Sequence, residues 1–256
     1  MIFIYKNKDN SLHYQEDRLA AIRKRPLLEQ LIATTGMFVV DQKITPEIAT
    51  AVRSETTELV EKMTKSTVTR SLIANLFRLD PTLQNHITSV CILATALGQT
   101  IVYKDKLLEI AEGAIYHDIG KLKTPRHILS KTTALTTEER KIIQLHPEDG
   151  ELELRMMLLL GIPLCDMTPR ITLEHHERFD GSGYPFGKKG ETNDFESDKT
   201  HIYSSIVAIA DVASALLMQR TYKGQLSMEQ VISIMDMIPL SPYVYKEFKQ
   251  MMIKSL

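Results

Sequence analysis

IYSSIVAIADVASALLMQ, residues 202 to 219, decides the architecture. It reads as one buried helix, apolar or small on every side and interrupted by a single acid, Asp211. A carboxylate in such a run is normally ion-paired, hydrogen-bonded or bound to a metal, because an unpaired buried charge is very costly. A salt bridge to Arg220 and a helix cap are the plain alternatives. Working outward, the rest of the chain follows the same period. Thr45-Pro46-Glu47 is a helix start, with a hydroxyl cap, a proline in the first turn and an acid at the positive end of the dipole, and the helix runs to about Lys65. Ser66 to Leu79 continues or restarts it. Pro81 opens a helix with the stripe Leu83, Ile87, Val90, Ala94 and Leu97, ending near Gly98. Asp105 to Ile119 is a helix stopped by Gly120. Thr136-Thr137-Glu138-Glu139 starts one that ends at His146-Pro147. Residues 148–160, 167–176, 227–237 and 242–254 are further helices. Only Ile2 to Tyr5 and Phe38 to Asp41 look strand-like. The expected fold class is all-α.

The 256 residues suffice for one large domain or a domain with a smaller companion. A seam near residue 65 separates a 1–65 N-terminal region of unknown role from a 66–256 working domain that holds almost all the candidate ligands. Hydrophobic residues make up 43% and charged residues 25%, and the formal net charge is -1, so bulk electrostatics favour neither a nucleic-acid polymer nor an anionic membrane. No apolar run reaches bilayer length, and the opening MIFIYKNKDNS is too short for a signal peptide. Two cysteines, Cys91 and Cys165, in apolar surroundings argue against a disulfide framework and for a reducing cytoplasm. The Met-rich tail from Met235 to Met252 packs on its own core or on a second subunit, so a homodimer stays open.

Of eight histidines, His86, His117, His146, His175 and His176 lie on or at the ends of expected helices. His86 alone reads as an ordinary core residue. His117-Asp118 is harder to dismiss, since a buried acid needs a partner; an ion pair with Lys121 is the simple one. HHERFDGSGYP, 175 to 185, sets two imidazoles side by side and then breaks into a loop. These histidines with Asp118 and Asp211 offer nitrogen and oxygen donors without thiolate, a set suited to iron, manganese, zinc or nickel. Seven donors exceed one tetrahedral site, and a bridging carboxylate would let them hold two metals about 3.5–4 Å apart. Asp118 is the natural bridge.

The order His86, HDIGK at 117–121, HPEDG at 146–150, HHERFDGSGYP at 175–185 and ADVASALLMQRTYKG at 210–224 resembles the HD-GYP phosphodiesterases, over roughly residues 70 to 225. HDxGK marks only the wider HD phosphohydrolase superfamily; the GYP element is far more specific. The resemblance implies an HD-domain helical bundle extended by the GYP region, and metal-assisted hydrolysis of cyclic di-GMP to pGpG and onward to GMP. It implies His86, His117, Asp118 and Asp211 around one metal, with Asp118 bridging to a second held by His146, His175 and His176. The two divalent ions would be iron or manganese first, then zinc or nickel. Asp118 and Lys121 would be catalytic. Lys121, Tyr184, Arg220 and Lys223 would contact substrate, the last two from the helix that carries Asp211, and the GYP loop would also meet protein partners. Two positions depart from the pattern. Thr82 stands where some members carry a glutamate for a third metal. Ser214 replaces the second aspartate of DxxDAL, which loosens the expected support of the metal ligands. The rival reading is a nucleotide-binding or protein-interaction module with little turnover; another cyclic dinucleotide as substrate is a further one.

Overall fold

The computed structural model describes residues 67–253, less 80, 219, 222 and 223. The expected strands at 2–5 and 38–41 and the expected helix from 45 to 65 lie outside those residues. The described part is helical: α1 (Thr67–Leu79), α2 (Pro81–Ile101), α3 (Leu107–Tyr116), α4 (Arg126–Leu129), α5 (Thr137–Ile143), α6 (His146–Leu159), α7 (Thr168–Glu174), α8 (Ile202–Met218), α9 (Met228–Met235) and α10 (Pro242–Ile253). Short 3-10 turns occupy Lys104–Lys106 and Ile119–Lys123. Two small ribbons complete it, β1 (Glu191–Thr192) parallel to β2 (Thr200–His201) and β3 (Arg220–Thr221) antiparallel to β4 (Gly224–Gln225). Among the described residues no helix is long and apolar enough to cross a membrane.

Two helices form the centre because they are apolar nearly all round. On α2, Ile87, Val90, Cys91, Ile92, Leu93, Ala94, Ala96 and Leu97 are buried; on α8, Ile206, Val207, Ala208, Ile209, Ala210 and Ala213 are. They pack chiefly on each other, and α3 packs on α2 as well. The tail does not stand free: Val244, Phe248, Met251 and Met252 of α10 are buried against α2 and α8.

Several helix ends differ from the expectation, two of them because a glycine admits a neighbour. α2 runs three residues past Gly98. That glycine is not a stop; it admits Leu107 and Ile110 of α3, each of which would lie 3.1 Å from an added Cβ. α3 stops at Tyr116, and Gly120 is again no cap. It sits in the following 3-10 turn where a Cβ would collide with the His146 carbonyl, so it lets that turn abut the start of α6. α5 ends at Ile143, and His146-Pro147 opens the next helix, as suits a proline in the first turn. Thr136 does cap α5, in a reciprocal capping box with Glu139. Finally, α8 ends at Met218. Arg220 is not on it but in β3, and Lys223 lies outside the described residues.

Gly120→Ala forces a side chain into backbone, which cannot yield as a side chain can. It is expected to lower stability in urea unfolding by about 3 kcal/mol, the upper part of the range for overpacking.

Candidate metal centre

Each imidazole at the centre comes from a helix end or a central helix. His117 caps α3, His146 is the first residue of α6, and His175 caps α7, followed directly by His176. His86 rises from α2 and Asp211 from α8. Three histidines share one local geometry. Nδ1 of His117 donates to the Ala114 carbonyl at 2.7 Å, Nδ1 of His146 to Ile143 at 2.7 Å, and Nδ1 of His175 to Thr172 at 2.6 Å. A carbonyl only accepts, so each Nδ1 carries the proton. When neutral, each ring therefore presents its Nε2 lone pair to the centre. Holding the distal nitrogen in this way is how metal-ligating histidines are oriented.

The inward groups fall into two sets. His146, His175 and His176 bring donor atoms within 4.8 Å of one another, and His86, His117 and Asp211 do the same. Asp118 stands between them. Its Oδ2 is 3.3 Å from His117 Nε2 and its Oδ1 is 3.3 Å from His146 Nε2, one oxygen facing each set. His86 Nε2 lies 3.0 Å from Asp211 Oδ1, so histidine is a near partner of the acid. Lys121 Nζ reaches Asp118 Oδ2 at 2.6 Å. All seven candidate ligands thus meet in one place, with Lys121 against the central carboxylate.

The electrostatics fit divalent cations. Burial pushes His146 down to about 4 and His176 to about 3, and it lowers His175 too, with His176 adding to the effect. These rings are neutral, as ligands must be. His117 moves upward instead: burial opposes its protonation, but Asp118 and Asp211 outweigh it. Burial also works against charge on both aspartates, yet Asp118 is held well below the usual carboxylate range by Lys121 and His117, and Asp211 by His86. One contact is unfavourable as it stands. His146 Nε2 and His175 Nε2 lie 3.2 Å apart, each with its proton committed at Nδ1, so two lone pairs face each other. The buried His117 Nε2 makes no well-formed hydrogen bond. A cation between such groups resolves both features, and the nitrogen and oxygen donors suit iron, manganese, zinc or nickel.

Ser214 keeps a supporting contact: its hydroxyl lies 3.1 Å from Nδ1 of His86. The serine in DVASAL therefore leaves His86 a polar neighbour at this position. Thr82 falls in the first turn of α2, four residues before His86.

After His176 the chain folds back on itself. Tyr184 N–H donates to the His176 carbonyl at 3.2 Å, and an added Cβ at Gly183 would strike that same carbonyl. Tyr184 consequently stacks on His176, with ring centroids 4.6 Å apart and planes 26° apart. The peptide between Tyr184 and Pro185 is cis.

Two glutamates hold this loop, and sequence reasoning passed over both. Glu177 accepts the backbone N–H groups of Phe186 at 2.8 Å and Lys188 at 2.9 Å. Glu174, 1% exposed, takes Arg170 and Lys188 on one oxygen and the His201 N–H and Ser204 hydroxyl on the other. The available signal was EHHE itself, two acids enclosing two imidazoles, but acids at a helix end look like solvated surface until the loop is closed over them.

Comparison with known proteins bears on the family and the fold. The family profile described as HD domain matches residues 71–239. Over 121 residues the chain is 40% identical to a 3'3'-cGAMP-specific phosphodiesterase 1 of Vibrio cholerae, covering 47% of this chain and 25% of that protein. A cyclic di-GMP phosphodiesterase of Thermotoga maritima is 33% identical over 159 residues, covering 61% and 40%. The chain thus spans well under half the length of these relatives. Among solved structures, the PgpH HD domain of L. monocytogenes in complex with cyclic-di-AMP shares the fold, with a TM-score of 0.53, 19% identity, 72% of this chain and 94% of that one. So does Bd1817, an HDG"Y"P protein of Bdellovibrio bacteriovorus, with a TM-score of 0.53, 15% identity, and coverage of 91% and 80%.

Chelation is expected to lower the melting temperature by several degrees, and added manganese or iron to restore it, because bound metal stabilises only the folded chain. Metal analysis of Asp118→Ala should fall from about two ions per chain to one or fewer. Glu177→Ala should keep both metals yet lose about ten- to a hundredfold in activity, as the Tyr184 loop loosens from His176.

Proposed function

The chain belongs to the HD domain family, and on that premise we propose that residues 66–256 form a metal-dependent phosphodiesterase that hydrolyses cyclic di-GMP to pGpG and onward to GMP. The observation that carries this is Asp118, whose two oxygens each face one set of three donors. A shared carboxylate between two such sets is the arrangement of a binuclear hydrolytic centre. Two divalent ions held there, iron or manganese in the first instance, supply Lewis acidity that polarises a phosphoryl oxygen and makes water a nucleophile at neutral pH.

The chain's own groups do the rest. His86, His117 and Asp211 hold one side of the centre and His146, His175 and His176 the other. Asp118, ionised and buried, keeps the two halves in register. Lys121 places a positive charge 2.6 Å from Asp118, where it offsets charge that develops on the substrate phosphate. Tyr184 offers the other face of its ring to a base, with its phenol kept protonated because burial raises its pKa. Arg220, on β3 rather than α8, and Lys223 contribute to phosphate or guanine recognition. The GYP loop remains the proposed contact for protein partners.

The 40% identity to a 3'3'-cGAMP-specific enzyme favours that nucleotide as the second substrate to try. The experiment is anaerobic turnover of each cyclic dinucleotide by manganese- or iron-loaded protein, with products separated chromatographically. Cyclic di-GMP should yield pGpG or GMP, and Asp118→Ala should be at least about a thousandfold slower. Lys121→Ala should cut turnover by about 10²–10³-fold while metal content stays unchanged. Full metal with tight nucleotide binding but no turnover of either compound would replace the enzyme with a binding module.

A further inference from the structure

α6 is apolar on two opposite faces, and among the described residues only one of them is packed. His146, Pro147, Gly150, Leu154 and Met157 are buried, against α7 and the 3-10 turn at Ile119–Lys123. Leu145, Leu152, Met156 and Leu159 form a second stripe at spacings of seven, four and three, which at about 100° per residue lies on the opposite side. These four are 51%, 54%, 48% and 80% exposed, and Leu160 beyond them is 74% exposed. Single exposed leucines need no explanation, but a continuous row on one helix face marks an interaction surface. The metal centre does not use it, since His146 points the other way.

The borders of the stripe indicate what covers it. The row has the heptad pattern of a helix pair, with Leu145, Leu152 and Leu159 seven residues apart. Glu148 and Arg155, both exposed, lie along one border, again seven apart. Asp149, within the stripe, is neutralised by Lys123 at 3.6 Å. Arg155 bonds Glu151 on its own helix yet remains 61% exposed. Two such helices laid antiparallel about a twofold axis at Leu152 set Leu152 against Leu152 and Leu145 against Leu159. In an antiparallel pair the same border meets itself, so Arg155 of each copy faces Glu148 of the other. A parallel pair would instead bring Glu148 against Glu153. The stripe is therefore self-complementary in apolar contact and in charge, but in one orientation only.

We propose that this face of α6 docks a second copy of the chain, antiparallel and twofold-symmetric about Leu152. The contact is isologous, as in most closed dimers. The stripe is about 20 Å long, so the interface is small and the dimer dissociates in the micromolar range. The same helix begins with His146, so each copy braces the other's metal-bearing helix from behind.

Sedimentation of the full 256-residue chain, from roughly 1 to 100 µM, tests this. The wild type should pass from monomer to dimer. Leu152→Asp should stay monomeric with an unchanged far-UV circular dichroism spectrum. Glu148→Arg and Arg155→Glu should each weaken the dimer about tenfold, and the double variant should recover it, because exchanging the two charges restores both cross-copy pairs. A wild type that stays monomeric throughout would overturn the proposal and leave residues 1–66 or a different protein as the occupant. A dimer indifferent to Leu152→Asp, or a double variant no tighter than either single one, would overturn it as well.

Discussion

The structure depends on aiming histidine nitrogens inward in a site largely closed to water. Burial keeps His146, His175 and His176 neutral, but that alone would leave ring orientation undecided. The bonds from Nδ1 to a carbonyl three residues earlier settle it for His117, His146 and His175. Each bond needs its histidine at a helix boundary, where the preceding turn still points a carbonyl at the ring. The placing of helix ends is thus a chemical requirement here, and it explains why α3 and α7 stop, and α6 starts, at the candidate ligands.

Close approach between backbones serves the same end. Gly120 lets the turn after Asp118 rest on the first residue of α6, so Asp118 and His146 come within 3.3 Å although 28 residues separate them. Gly98 lets α3 lie tightly on α2, which carries His86. Neither glycine has a positive φ. They matter for the absence of a side chain, not for an unusual backbone angle.

The GYP loop shows how charge supports a site without entering it. Glu177 and Glu174 bind backbone N–H groups and the basic side chains Arg170 and Lys188, and this fixes the return of the chain onto His176. Buried carboxylates are costly unless fully bonded, so their presence just beneath the loop makes its closed form the one in which their partners are supplied. On the far side of α6 the outer apolar stripe extends the same economy: one helix carries a candidate ligand inward and an exposed apolar stripe outward.

The amino-acid sequence by itself determined the helical class, the identity of the candidate ligands and their order, because helical periodicity and acids set in apolar runs are local signals. Asp118 and Asp211 stood out for that reason, whereas His86 and the paired histidines of HHERFDGSGYP became candidates only through the order of motifs. The helix ends were misplaced at Gly98, Gly120 and His146-Pro147 because those residues answer to neighbours distant in the chain, and a glycine needed for contact looks the same as one needed for a turn. Arg220 was put on α8 because nothing local marks the break after Met218. Glu174 and Glu177 were passed over because their partners lie up to 30 residues away. Only the tertiary structure decided which oxygen of Asp118 faces which histidines and which face of α6 stays open, since both depend on side chains that the fold, rather than the sequence, brings together.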